Sequence, residues 1–174
     1  EHNLRQPGGP GYGEGELAEE IFTKDIQLRK EAGFPLKPLI GIGSAEDFGY
    51  YREVSKGKAD AEKTKESLDA FKKKIDKTIA MTDKLLGHHD IYFYAIDEAT
   101  GQGSMRYMSV YRDYIYSKGA RVLSTGWENN FKFMPSAETL HCEAAIIDKN
   151  IADRWHAIKG KLLSYAGPFA GPDN

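Results

Sequence analysis

The chain repeats one local pattern four times: an amphipathic segment with helical spacing, then a glycine, then an apolar run typical of a strand. The glycines stand at Gly33, Gly87, Gly119 and Gly160. Glycine readily adopts the left-handed backbone that ends many helices, so each repeat predicts a helix that stops shortly before a strand. Helices that alternate with strands form parallel sheets through right-handed crossovers. The pattern therefore predicts an α/β fold with a parallel sheet of repeated helix–strand units.

The second repeat contains the clearest strand, Ile91–Ile96, which is mostly β-branched or aromatic and carries no charge. An apolar run of this length is typical of a strand that is buried on both faces. It stops at two adjacent carboxylates, Asp97 and Glu98. In helix-covered parallel sheets, chemistry takes place at the carboxyl ends of the strands, so these two are the first candidate catalytic residues. The alternative is that Asp97 caps a following helical turn.

The other elements complete a single domain over 16–174, after a Gly- and Pro-rich entry at 1–15 that we expect to be flexible. We predict an incomplete (β/α)8 TIM barrel, because a complete one usually needs about 200–250 residues. An open sheet is the alternative.

The hydrophobic patterns predict the following elements. The predicted helices are 16–32, 59–86, one beginning near Ser104 and one capped by Asp148 or Asn150. The predicted strands are 36–43, 91–96, 120–125, 139–147 and 161–166, with a loop at 126–130.

Charge and composition exclude several classes of partner. The chain has 174 residues with 24 basic and 26 acidic side chains, so no excess of positive charge favours nucleic acid or an anionic membrane. No apolar run approaches the ~20 residues that span a bilayer. Cys142 is the single cysteine, which excludes an intrachain disulfide and leaves the cellular compartment undetermined. Because the chain begins with Glu1 and lacks a signal-peptide pattern, we expect a fragment or a processed product.

Polar and aromatic residues follow the predicted strands. Because parallel strands share one direction, their exits meet at one edge of the sheet. Carboxylates accept hydrogen bonds from sugar hydroxyls, and aromatic rings stack on the C–H faces of pyranoses. Adjacent carboxylates can also divide the two roles of glycoside hydrolysis, because a nearby like charge keeps one of them protonated. The sequence therefore predicts a carbohydrate site, with candidate residues Asp97, Glu98, Trp127, Glu128, Asn129, Tyr165, Glu46 and Asp47, and with Asp148 at a further strand end.

The order of apolar strand, Asp-Glu pair, small residue, polar loop, amphipathic helix, strand and aromatic exit resembles the TIM-barrel hexosaminidase-type glycoside hydrolases of families 20 and 123. The resemblance implies that Glu98 is the general acid/base. It implies that Asp97 orients the 2-acetamido group of the substrate, which attacks the anomeric carbon in place of an enzyme nucleophile. Tyr94-Ala95-Ile96 stands where family 20 has His-Gly-Gly, and Ala99 stands where family 123 usually has proline. The substrate implied is an N-acetyl-hexosaminide.

A second interpretation is a divalent-metal enzyme of the TIM-barrel class. His141 and Glu143 share one face of a predicted strand at i, i+2 spacing. Together with Asp97, Glu98 or Asp148 they could bind a divalent cation. A half-buried structural histidine is the simpler interpretation of His141. We favour the metal-free interpretation and predict no cofactor.

A third interpretation is a non-catalytic carbohydrate-binding or interaction module with the same layout. His88 and His89 precede the strand at 91–96, so we interpret them as surface or structural residues. Cys142 is interpreted as a structural thiol, because its neighbour His141 should point to the other face of the strand. An incomplete barrel would expose sheet edges, so we also expect self-association.

Overall fold

The structure is a computed structural model that describes residues 16–44, 61–94, 102–127, 129–133, 135–136, 138–143 and 147–164. Helices and strands alternate through these ranges, which confirms the α/β class predicted from the repeats. The helices are α1 (Glu16–Glu31), α2 (Ala61–Leu86), α3 (Gln102–Ser117), α4 (Asn129–Phe133) and α5 (Lys149–Ala157). The strands are β1 (Leu39–Ser44), β2 (Ile91–Tyr94), β3 (Arg121–Gly126), β4 (Thr139–Glu143) and β5 (Lys161–Ser164).

The strands form one five-stranded sheet in the order β1-β2-β3-β4-β5, which is also their order in the chain. Every neighbouring pair is parallel. A right-handed crossover always places its helix on the same side of the sheet when each new strand is added at the same edge. This strand order therefore predicts that the helices cover one face, which we call the helix face.

Side-chain packing agrees with a single helix face. The main core joins Phe22 of α1, Phe71 of α2 and Tyr111 of α3 to Ile91 and Phe93 of β2. Phe71 stacks on Tyr111 with ring centroids 3.5 Å apart. In the neighbouring strands, the same face carries Val122, Ser124, Thr139, His141 and Glu143, because side chains alternate along each strand.

The other face of the sheet, which we call the second face, carries a smaller cluster. Tyr92, Leu123 and Leu140 are only 1, 7 and 5% exposed, and the members of this cluster that the structure describes all lie in strands. Lys161 Nζ of β5 lies 3.2 Å from the Tyr92 hydroxyl of β2, across three strand spacings. In a flat sheet these two strands would be about 14 Å apart. The long side chains of Tyr92 and Lys161 therefore meet over the second face.

Two turns differ from the sequence predictions. A loop was expected at 126–130, but Asn129 and Asn130 are the first residues of the short helix α4. Near Gly160, the positive φ belongs to Lys159, at 60°. Gly160 is required for space instead, since a Cβ there would lie 2.8 Å from Trp155 Cε3 and 3.1 Å from the Trp155 carbonyl oxygen. The glycines Gly33, Gly87 and Gly119 do adopt the left-handed backbone that was predicted for them.

Candidate functional site

The carboxyl ends of β2 and β3 lie side by side and are joined on the second face. The hydroxyl groups of Tyr94 and Thr125 are 2.8 Å apart and share a hydrogen bond. Thr125 is the register partner of Cys142 in β4, and Cys142 is the register partner of Leu163 in β5. The carboxyl edge of the second face therefore presents a phenol, a hydroxyl, a thiol and an exposed leucine in one row.

Trp127 follows β3 at this edge and is 39% exposed, which is unusual for a tryptophan. The turn that carries it is tightly held. Asn130 donates through its side-chain Nδ2 to the Thr125 carbonyl oxygen at 2.9 Å and through its backbone to the Trp127 carbonyl oxygen at 2.8 Å. Gly126 has a φ of 143°, and a Cβ there would lie 2.7 Å from Asn130 Nδ2. Trp127 is therefore a surface aromatic beside two hydrogen bonds that Asn130 donates to backbone carbonyls.

Asn130 is a site residue that the sequence analysis missed. Its side chain is fully buried, and its Oδ1 accepts no hydrogen bond from the described residues. Both residues of the pair Asn129-Asn130 were placed in the exit loop at 126–130, but only Asn129 was named as a candidate site residue. The helix α4 turns Asn130 back toward β3. A helix of five residues is too short to show a hydrophobic periodicity in the sequence, so this turn could not be predicted.

The structure describes part of the predicted carbohydrate site. Trp127 lies at the exit of β3, as predicted, and Asn129 is the first residue of α4. The parallel pairing of β2 with β3 brings the strand that precedes Asp97 beside the strand that precedes Trp127. The residues that lie outside the described ranges are Glu46, Asp47, Asp97, Glu98, Glu128 and Tyr165.

His141 and Glu143 do share one face of β4, but it is the helix face. Both side chains are 0% exposed. His141 Nδ1 lies 2.9 Å from Ser124 Oγ of β3, and His141 Nε2 lies 3.2 Å from Glu143 Oε2. The indole of Trp155 in α5 stacks on the imidazole, with centroids 4.9 Å apart and planes 14° from parallel. Because Ser124, His141 and Glu143 are fully buried, a substrate cannot reach this hydrogen-bonded group from solvent. We therefore assign the group a structural role.

The metal-enzyme interpretation finds no site among the described residues. Both ring nitrogens of His141 already face protein partners. Asp148 caps α5, where its Oδ1 accepts a hydrogen bond of 2.8 Å from the backbone N–H of Ile151. Within the ranges that the structure describes, no group of three His, Cys, Asp or Glu side chains could hold a metal ion.

Acid is expected to destabilise the fold through His141. Burial holds the pKa of His141 below its ordinary value, and the Glu143 carboxylate opposes this effect only in part. The unfolded chain, in which histidine titrates near pH 6.5, therefore takes up a proton that the folded chain resists. The free energy of unfolding should fall as pH drops below about 6.5, by at most about 1.4 kcal/mol per pH unit.

Urea unfolding at pH values between 7.5 and 5 measures this slope. The variant His141→Gln should flatten it, whereas His156→Gln, which changes an exposed histidine of α5, should leave it as in the unsubstituted protein. The same slope in His141→Gln and in the unsubstituted protein would show that His141 is not the group responsible.

Cys142 points to the second face, away from its neighbour His141, as alternation along the strand predicts. The thiol is partly buried, and burial raises its pKa. A raised pKa keeps the sulfur protonated and weakly nucleophilic. Cys142 is therefore a packing residue at the carboxyl edge.

The amino edge of the sheet has an open hollow of about 440 Å³ lined by polar residues, among them His88 and Arg121. His89 Nδ1 lies 2.9 Å from both carboxylate oxygens of Asp83, and His88 Nδ1 accepts a hydrogen bond from the backbone N–H of Asp90. His89 joins α2 to the segment before β2, and His88 stabilises that segment, which agrees with the surface or structural role predicted for them.

Comparison of the chain with models of known protein families, with curated proteins and with solved structures found no match in any of the three. Among the described helices, none combines the length and apolar character needed to cross a membrane.

Proposed function

We propose that this chain is part of a (β/α)8-barrel domain that hydrolyses carbohydrate, with N-acetyl-hexosaminides as the substrate class. The observation that carries the proposal is the parallel sheet in consecutive strand order with helices on one face. Open α/β sheets usually reverse their strand order at a switch point and place helices on both faces, whereas barrels add each strand at the same edge. The contact between side chains of β2 and β5 over the second face gives further support, because barrels enclose that face.

The positions of β2 and β3 support a sugar site at the carboxyl edge. Asp97 and Glu98 follow Tyr94 within a few residues, and the Tyr94–Thr125 hydrogen bond holds their strand beside the one that leads to Trp127. An exposed indole after β3, with two carboxylates following the neighbouring strand in the sequence, suits a pyranose, which needs an apolar stacking surface and hydrogen-bond acceptors.

The proposed chemistry needs no cofactor. Glu98 would donate a proton to the leaving glycosidic oxygen and later accept one from water. Asp97 would orient the acetamido group as it attacks the anomeric carbon. Glu128, Asn129, Tyr165, Glu46 and Asp47 are the remaining proposed substrate contacts.

Tryptophan fluorescence can test sugar binding at Trp127. The chain has two tryptophans, and Trp155 is only 1% exposed, so a bound sugar should alter mainly the emission of Trp127. We expect a saturable change with N-acetylglucosamine oligomers. The variant Trp127→Phe should remove that change and weaken binding about tenfold, or ~1.4 kcal/mol, when affinity is measured by calorimetry.

Turnover is tested in parallel on aryl N-acetyl-hexosaminides. Release of the aryl alcohol supports the hydrolase, whereas saturable binding with no turnover supports the non-catalytic module. Stoichiometric Mn, Zn or Mg in protein purified without added metal would contradict the metal-free mechanism. Absence of both binding and turnover would overturn the carbohydrate proposal.

A further inference from the structure

Two cationic side chains converge on one buried phenol at the second face. Arg121 donates to the Tyr92 hydroxyl oxygen at 2.9 Å, and Lys161 donates to the same oxygen at 3.2 Å. The guanidinium lies 4.3 Å from the centroid of the Tyr92 ring, and Lys161 Nζ lies 5.8 Å from it. Tyr92 itself is 1% exposed. The three residues come from β2, β3 and β5, so only the folded sheet assembles them.

This group of three, the Tyr92 cluster, has more donors than acceptors. Its phenol oxygen already accepts two hydrogen bonds, and the phenol O–H finds no acceptor among the described residues. Lys161 has two further N–H groups and forms no ion pair with any described carboxylate. Arg121 pairs with Asp90, so among the described residues one of the two positive charges is balanced and the Lys161 charge is not.

The two positive charges of the cluster also favour the binding of an anion. The Arg121 and Lys161 nitrogens that share the phenol oxygen can be no farther apart than the sum of the two hydrogen-bond lengths. Like charges this close repel each other, and the repulsion is stronger at a partly buried site than in bulk water. The Arg121 side chain is 19% exposed, while Lys161 is exposed at the first residue of β5. An acceptor with negative charge can therefore reach the cluster from solvent.

We propose that the Tyr92 cluster binds a small oxyanion, either a phosphate group or a carboxylate. Arginine, lysine and a phenol O–H are donors that such anions accept in short, charge-assisted hydrogen bonds. Tyr92 and Arg121 pair in register near the amino ends of their strands, whereas the proposed sugar site lies at the carboxyl ends. The anion site is therefore separate from the proposed activity and stands or falls independently of it.

Thermal unfolding measured at constant ionic strength tests the proposal. Inorganic phosphate in place of chloride should raise the Tm in a saturable manner, because a ligand that binds only the folded state stabilises it. Acetate is the second arm: a rise with both anions assigns a general oxyanion site, and a rise with phosphate alone assigns a phosphate site. No rise with either anion would overturn the proposal.

Two variants locate the binding. Lys161→Gln, at an exposed position, should weaken phosphate binding at least about tenfold, since it removes the uncompensated charge. Tyr92→Phe keeps the ring and removes only the hydroxyl, and it should weaken binding by a smaller factor. Lys65→Gln changes an exposed lysine of α2 and is the matched control. Unchanged phosphate affinity in Lys161→Gln, with circular dichroism showing an intact fold, would refute this location.

Discussion

Trp155→Ala is expected to lower the free energy of unfolding by about 3–5 kcal/mol, the usual cost of truncating a buried tryptophan. Trp155 is 1% exposed and is among the largest fully buried side chains of the described residues. It stacks on His141 and makes an edge contact with Phe131 at 5.1 Å between ring centroids. Its removal would leave a cavity between α5 and the sheet and would uncover the imidazole.

The other tryptophan is the natural control for this prediction. Trp127→Ala changes a 39% exposed side chain, so we expect a loss below about 1 kcal/mol. Urea unfolding should be followed by circular dichroism, because both variants remove a fluorophore. Trp155→Phe should fall between the two, since it retains an aromatic ring over His141. Equal losses in the two alanine variants would contradict the packing seen around Trp155.

The order of helices and strands could be predicted because it depends on local sequence. The helix ends at Gly33, Gly87 and Gly119 require a left-handed backbone that glycine adopts readily, so they mark the boundaries. The strand predicted at 120–125 is observed at Arg121–Gly126. The helix α4 was missed because five residues contain little more than one turn, and what turns its Asn130 toward β3 is a contact with the Thr125 carbonyl oxygen.

The second face was harder to predict, because its contacts join residues that are far apart in the sequence. Tyr92 was interpreted as one member of an apolar run, and nothing near it in sequence indicates that its hydroxyl meets a lysine 69 residues away. His141 shows the same limit. Alternation along β4 predicted correctly that His141 and Glu143 share a face, but it could not tell which face the helices would cover. The neighbours Ser124 and Trp155 decide that His141 is structural.

Glu98→Gln is expected to lower kcat by about 10²–10⁴, the usual contribution of a general acid/base, in the protein that gives turnover with aryl N-acetyl-hexosaminides. Glutamine has nearly the shape of glutamate but cannot donate a proton to the leaving oxygen. KM should change little, because the substitution removes an interaction that matters in the transition state rather than in the bound ground state. Steady-state kinetics on one purified preparation of each variant gives both parameters.

The leaving group distinguishes loss of an acid from general damage to the site. Dinitrophenolate is a leaving group that departs without protonation. Cleavage of a dinitrophenyl glycoside should therefore be much less sensitive to Glu98→Gln than cleavage of an unactivated aryl glycoside. Glu138→Gln changes an exposed glutamate just before β4 and should retain full activity towards both substrates. Equal loss of activity towards both glycosides would mean that Glu98 is not the acid. Full activity of Glu98→Gln would remove the main reason to assign the active site to the end of β2.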